Sequence, residues 1–244
     1  MDSSPNEITL AIVTINFNNL NGLKKTINSV KNQTDKQIEF IIIDGGSTDG
    51  SKEFIEENQK HLNYWVSEKD GGVYHAMNKG LEKVTSEYCL FLNSGDYLIN
   101  KETIETIKNL IDSQATMVYG LIQWEETNAL WNPKKDLKAF EMTKNSMIPH
   151  QGTFFKTNIL KKLNGYKENF KVISDWGIML ELIEKGYTTQ KLNLIISICE
   201  KQGISSSLED QIKKERRSYL LKHAKKTMIY GYLYAVKKIF KLHK

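Results

Sequence analysis

Two periodicities alternate along the first 111 residues, and they leave few folds open. Thr9–Ile15, Ile38–Ile43, Leu62–Ser67 and Cys89–Leu92 are short, largely apolar runs, as expected of strands covered on both faces. Between them, Leu23, Ile27 and Val30 recur at helical spacing, as do Val73, Met77, Leu81 and Val84, and a further helix is expected over Ile104 to Ile111. Strand and helix joined by loops of a few residues predict an α/β fold. Its sheet is expected to be Rossmann-like and mostly parallel, flanked by helices and wound with right-handed crossovers.

In such sheets ligands bind beyond the carboxyl ends of the strands. Here those ends are polar: Asn16-Phe17-Asn18-Asn19, Asp44-Gly45-Gly46-Ser47-Thr48-Asp49-Gly50 and Asn93-Ser94-Gly95-Asp96. Glycines in the second segment allow a ligand close to the backbone, and Ser47, Thr48 or Asp49 offers a cap to a helix starting near Gly50. Asp44 and Asp96 face one crevice, where a carboxylate can hold a hard divalent cation through oxygen. Each acid, taken singly, also reads as an ordinary turn or cap residue.

After Met117–Tyr119 the rhythm changes. Leu121–Trp131 carries two tryptophans around Glu125–Asn128 and predicts a hairpin or irregular excursion; Thr153–Phe155 reads as a strand. Ser174 offers a cap to a helix whose buried stripe is Trp176, Met179, Leu180 and Ile183, and Asp175 opens that helix. Leu194–Cys199 is the last strand expected, ending at Gln202–Ser205. From Leu208 the chain reads as helix, first mixed in charge and then basic and aromatic. This organisation divides into a domain over 1–205 and a helical, basic-aromatic tail over 206–244.

At 244 residues, 40% hydrophobic and 26% charged, the chain has the composition of a globular protein able to bury a sizeable core. Its net charge of +5 is unevenly placed: no acid follows Glu215, while Lys222, Lys225, Lys226, Lys237, Lys238, Lys241 and Lys244 do. Tyrosines and aliphatics between these lysines suit a helix lying on an anionic membrane surface, or one docking on this chain's own core or on a homodimer partner. No nucleic-acid-binding fold accompanies the charge, so nucleic acid is not an expected partner. Cys89 and Cys199 lie in apolar runs and read as buried and reduced. The opening Met1-Asp2-Ser3-Ser4-Pro5 resembles no signal peptide and no run approaches a membrane span, which makes the cytoplasm the expected compartment.

Four segments in order, Val13–Asn18, Ile43–Ser51, Asp70–Gly80 and Phe91–Asp96, resemble the family 2 glycosyltransferases of GT-A fold. The last two are most similar to the subgroup that builds bacterial exopolysaccharide and lipopolysaccharide chains. Pro149-His-Gln-Gly152 and Ser174-Asp-Trp176 resemble the acceptor-side motifs more loosely. The resemblance implies a nucleotide-sugar donor, UDP-linked, bound by Thr14, Asn16, Phe17, Asp44, Asn78, Lys79 and Asn93. Phe17 would stack on the base and Asp44 would accept from the uracil ring. It implies Mg²⁺ or Mn²⁺ on Asp96, with His150 as a metal or acceptor contact. Asp175 corresponds to the base of an inverting transfer to a hydroxyl of a growing, lipid-linked glycan, which places the protein at the cytoplasmic face of the inner membrane.

Two departures from the family pattern bear on this. Met77 stands where relatives often carry Arg, and Asn93 and Gly95 replace carboxylates in the metal turn, leaving Asp96 alone. A second enzyme class, sugar-phosphate nucleotidyltransfer, lacks its glycine- and arginine-rich amino-terminal loop here. A non-catalytic nucleotide-sugar-binding or assembly protein with a degenerate metal site stays open.

Overall fold

The computed structural model describes residues 8–135, 138–142, 148–200 and 208–223. Its first half follows the expected alternation: β1 (Leu10–Asn16), α1 (Leu20–Lys31), β2 (Ile38–Asp44), α2 (Ser51–Asn58), β3 (Tyr64–Ser67), α3 (Val73–Lys83) and β4 (Tyr88–Phe91). There follow β5 (Tyr97–Leu98), α4 (Thr103–Leu110), β6 (Met117–Trp124), β7 (Leu130–Trp131), α5 (Ala139–Met142), β8 (Thr153–Lys156), α6 (Thr157–Lys162), α7 (Ser174–Glu184), β9 (Thr189–Cys199) and α8 (Glu209–His223).

All the strands join one sheet in the order β3-β2-β1-β4-β8-β6-β9-β5, with β7 paired to β6 as the expected hairpin. The β3-β2-β1-β4 half is parallel. Beyond β4 the sheet is mixed: β8 runs antiparallel to both β4 and β6, and β9 runs parallel to β6. The apolar runs of this half mark its strands but not their directions, which partners remote in sequence set. Strand β9 also starts five residues before the expected Leu194. Its first part, Thr189-Gln190-Lys191, is polar and joins the sheet through backbone pairing with Met117–Tyr119.

The two-residue period of the strands divides the core into two layers. Ala11, Val13, Ile41, Ile43 and Phe91 pack on α3 and α7, while Leu10, Ile12, Phe40, Ile42 and Leu90 pack against α1 and α4. Burying each such aliphatic chain contributes about 1.5–3 kcal/mol, so both faces demand cover. Helix α3 lies hard on β1: a Cβ at Gly80 would stand 2.4 Å from Val13 Cγ1. This contact fixes the loop before α3 over the carboxyl ends of β1 and β2.

Two capping expectations change. Ser174 is the first residue of α7 rather than its cap, and its hydroxyl accepts instead from the Lys167 amide. At α2 the cap is Gly50, in the left-handed region at φ 91°, but Asp49 still serves two helix starts. Its carboxylate accepts the Ser51 amide at 3.1 Å and the Leu20 amide of α1 at 2.8 Å.

The first part of the 206–244 segment packs on the domain. In α8, Tyr219 is buried and donates to the Gly177 carbonyl at 2.9 Å; Glu215 accepts the Lys171 and Val172 amides. Arg216 lies over the Trp176 ring, 5.1 Å from its centroid. The basic-aromatic stretch from residue 224, like the turn expected at Gln202–Ser205, lies outside the described residues. Among the described residues no helix is long and apolar enough to cross a membrane. Cys89 and Cys199 are buried and form no disulfide, as expected.

Candidate active site

Parallel register aligns Asn16 with Asp44 and Asp44 with Ser67 at the ends of β1, β2 and β3. Asp44 is fully buried there. Burial alone would raise its pKa, but donors on both oxygens more than offset that and hold it below the usual carboxylate value. Oδ1 accepts from the Asn16 amide at 2.7 Å and from the Ser47 hydroxyl; Oδ2 accepts from the Ser67 hydroxyl at 2.6 Å and the Ser47 amide at 2.9 Å. Asp44 thus ties the glycine loop to three strands. Beside it, Asn16 Oδ1 is buried without a hydrogen-bond partner, an acceptor suited to a donor N–H of a bound ring. Phe17 is 66% exposed at the rim, its ring edge 3.2 Å from where a Cβ on Gly45 would stand. A large exposed aromatic over a glycine loop is a ready platform for a planar base.

Three other residues expected to touch the donor are held by protein partners. The Thr14 hydroxyl is buried and donates to the Leu92 carbonyl at 2.8 Å, tying β1 to the end of β4. Asn78 accepts the Tyr166 amide at 2.7 Å and donates to the Tyr166 carbonyl and to Glu168, both at 2.8 Å, clamping the loop before α7. Lys79 forms an ion pair with Glu68.

Asp96 is not an open turn carboxylate. It is 6% exposed, under the end of β9, where the Glu200 amide donates to Oδ1 at 3.3 Å. Burial pushes its pKa up to about 7, against the opposing pull of His150, Gln151 and the Glu200 amide. Asn93 lies on the same turn, and its Oδ1 is buried without a partner. Among the described residues no cluster of three or more His, Cys, Asp or Glu is arranged to hold a metal. A buried carboxylate short of positive charge fits a divalent cation whose remaining ligands are waters and phosphate oxygens.

Asp175 is 3% exposed at the start of α7. Oδ2 meets His150 Nδ1 at 3.0 Å, and Oδ1 accepts the Tyr74 hydroxyl at 3.2 Å. Burial would raise its pKa; His150, the Trp176 amide and Tyr74 outweigh burial and hold it below the usual range. The other ring nitrogen of His150, Nε2, lies 3.2 Å from Asn93 Nδ2. A continuous chain, Asp175–His150–Asn93, therefore joins α7 to the turn that carries Asp96. Tyr74 was not singled out from the sequence. Its signal was its place in the Asp70–Gly80 segment, one turn before Asn78.

Residues 11–174 match the family model described as glycosyl transferase family 2. The chain belongs to that family. A glycosyltransferase of Mycobacterium tuberculosis (strain CDC 1551 / Oshkosh) is 30% identical over 186 residues, 74% of this chain and 70% of the relative. A PGL/p-HBAD biosynthesis glycosyltransferase of Mycobacterium bovis (strain BCG / Pasteur 1173P2) is 26% identical, covering 78% and 76% of the two chains. Among solved structures, S. aureus TarS 1-349 in complex with UDP-GlcNAc aligns over 91% of this chain and 69% of its own, at TM-score 0.72 and 18% identity. The mannosyltransferase PcManGT of Pyrobaculum calidifontis, in complex with GDP-Man and Mn²⁺, aligns over 82% and 62% at TM-score 0.60 and 16% identity. The fold of this transferase is therefore GT-A.

Asp96 makes the metal-free protein sensitive to pH in a defined direction. Its pKa rises from the ordinary 3.8 to about 7 on folding, so between those values the native state holds the extra proton. Stability should therefore fall as pH rises through that window, by up to about 1.4 kcal/mol per pH unit. In urea melts with chelator, Asp96→Asn should flatten this slope; an unchanged slope would show that the carboxylate ionises normally.

Proposed function

We propose that this family 2 glycosyltransferase moves a sugar from a UDP-linked donor to a hydroxyl of a lipid-linked glycan, with inversion at the anomeric carbon. The observation that carries the reading is the Asp175–His150–Asn93 chain. It joins Asp175 of α7 to the turn that carries Asp96, so a base and a cation site would share one cleft. The solved relatives with UDP-GlcNAc or GDP-Man support a nucleotide-sugar donor, and the PGL/p-HBAD relatives support assembly of a larger glycoconjugate.

Phe17 covers the base, Asn16 Oδ1 accepts from its ring and Asp44 holds the loop beneath. Asp96 would hold Mg²⁺ or Mn²⁺, which when bound offsets the charge of the diphosphate. The acceptor hydroxyl reaches the anomeric carbon from the face opposite the diphosphate. Its proton passes to the pair formed by Asp175 and His150. One displacement of this kind inverts the configuration. Release of nucleoside diphosphate from a panel of UDP- and GDP-sugars, with Mn²⁺ or chelator, tests the reading. Turnover of at least one UDP-sugar should require the cation and vanish in Asp96→Ala. A chelator-resistant enzyme, or binding of donor with no turnover under any condition, would contradict it.

The lysine- and tyrosine-bearing stretch from residue 224 suits an anionic membrane surface at the cytoplasmic face, where a lipid-linked acceptor is presented. Each lysine close to such a surface contributes about 1 kcal/mol, screened by salt. Truncation belongs after His223, because Tyr219 is part of the core. The shortened chain should keep its thermal transition and lose sedimentation with phosphatidylserine vesicles at low salt. Equal sedimentation of both forms would assign the stretch another role.

A further inference from the structure

We infer that helix α8 positions Asp175 for proton removal, with Glu215 and Tyr219 as the positioning residues. The inference rests on the glycosyl-transfer reading and brings into it a part of the chain beyond the family match, which ends at residue 174.

Asp175 lies in the first turn of α7, and that turn is weakly anchored from within. Its cap position, Ile173, makes no side-chain cap hydrogen bond, so the helix start depends on outside contacts for its placement. Helix α8 supplies such contacts on both sides of Asp175. Before it, the buried carboxylate of Glu215 accepts the Lys171 amide at 2.9 Å and the Val172 amide at 3.1 Å. Gln211 Nε2 donates to the same carboxylate at 2.7 Å and fixes it on the helix. After Asp175, the buried Tyr219 hydroxyl donates to the Gly177 carbonyl at 2.9 Å.

Shape supports the same docking. A Cβ on Gly177 would stand 2.7 Å from Tyr219 Cε2, so the ring fills the place of a side chain on α7. Glycine is a poor helix former; here its missing side chain is what lets α8 come this close. The Tyr219 ring also meets Trp176 edge-on, with centroids 5.6 Å apart, and the Arg216 guanidinium lies over that indole. Residues 171, 172, 176 and 177 are thus held by one helix, with Asp175 between them.

Placement matters because of what Asp175 has left to offer. Oδ1 accepts from Tyr74 at 3.2 Å and Oδ2 meets His150 at 3.0 Å, and each oxygen of an ionised carboxylate keeps a further lone pair. The acceptor hydroxyl must meet such a lone pair while its oxygen faces the anomeric carbon. A shift of about 1 Å in the first turn of α7 breaks that alignment, a misplacement that costs on the order of 10²-fold in rate. Glu215 and Tyr219 act through backbone atoms of α7 and its entry loop, not through a reacting atom.

Single substitutions in the full chain test this. Tyr219→Phe keeps the ring and its packing and removes only the hydroxyl. With a donor that the wild type turns over, it should lower kcat by roughly 10- to 100-fold while donor KM stays within about threefold. Its thermal transition should stay within about 6 °C of wild type. Glu215→Ala should lose kcat in the same way, whereas Glu215→Gln, which keeps an oxygen for the two amides, should recover most of the rate. Lys213→Ala, on the exposed face of α8, should leave kcat unchanged. A Tyr219→Phe enzyme with a lowered transition and a kcat within about twofold of wild type would make α8 a stabilising helix only and overturn the inference. A fall in kcat matched by an equal loss of donor affinity would overturn it too, because the effect would then lie at the donor.

A second measurement needs no turnover. In ¹⁵N-histidine spectra, the ring signals of His150, which reports on Asp175 from 3.0 Å, should shift in Tyr219→Phe and Glu215→Ala and hold in Lys213→Ala. Unchanged His150 signals in the first two variants would sink the inference while leaving the glycosyl-transfer reading standing. Failure of every donor to turn over would instead bring down that reading, and the His150 signals would still decide whether α8 positions Asp175.

Discussion

A carboxylate buried at the end of a central strand costs several kcal/mol unless its lone pairs are filled. Asp44 meets that requirement with donors from the ends of β1 and β3 and from its own glycine loop. Parallel register is what supplies them, since slipping β1 by one residue would turn Asn16 to the opposite face. The crevice beside Asn16 and Asp44 thus depends on strand register as much as on any residue inside it. Close contact of α3 with β1 through Gly80 fixes the second wall.

Three acids at the same edge of the sheet meet three different environments. Asp44 is buried and saturated with donors, and its charge is settled by the protein. Asp175 is buried and paired with a histidine, which ties its charge to that ring. Asp96 is buried, and burial outweighs the pull of His150, Gln151 and the Glu200 amide, so its pKa is pushed up to about 7. Environments that push like groups apart in this way allot roles within a site. On the proposed reading they suit the first to loop order, the second with its histidine to proton removal and the third to a cation.

Much of the amino-terminal half was legible in the sequence. Apolar runs and helical repeats there are local signals, and Asn16, Phe17 and Asp44 fall at strand ends that any parallel sheet would align. What was not legible depends on contacts remote in sequence. Asp96 is buried and meets the amide of Glu200, 104 residues away, a contact that its turn composition does not reveal. Asn78 is engaged by Tyr166, 88 residues away, and Thr14 by Leu92, 78 away; both were expected at the donor, and both have protein partners that no local pattern marks. The His150–Asp175 pair spans β8, α6 and the loop before α7, and no periodicity announces it. Strand β8 was expected, but its antiparallel direction and the early start of β9 escaped for the same reason, being set by partners rather than by local pattern.

A single in-line displacement within this site is tested most directly by the stereochemistry of the product. Proton NMR of the sugar released or transferred from an α-linked UDP-sugar should show the β-anomer as the first-formed product. A first-formed α-anomer would require a double displacement or a different face of attack, and would contradict the assignment of the Asp175–His150 pair to proton removal.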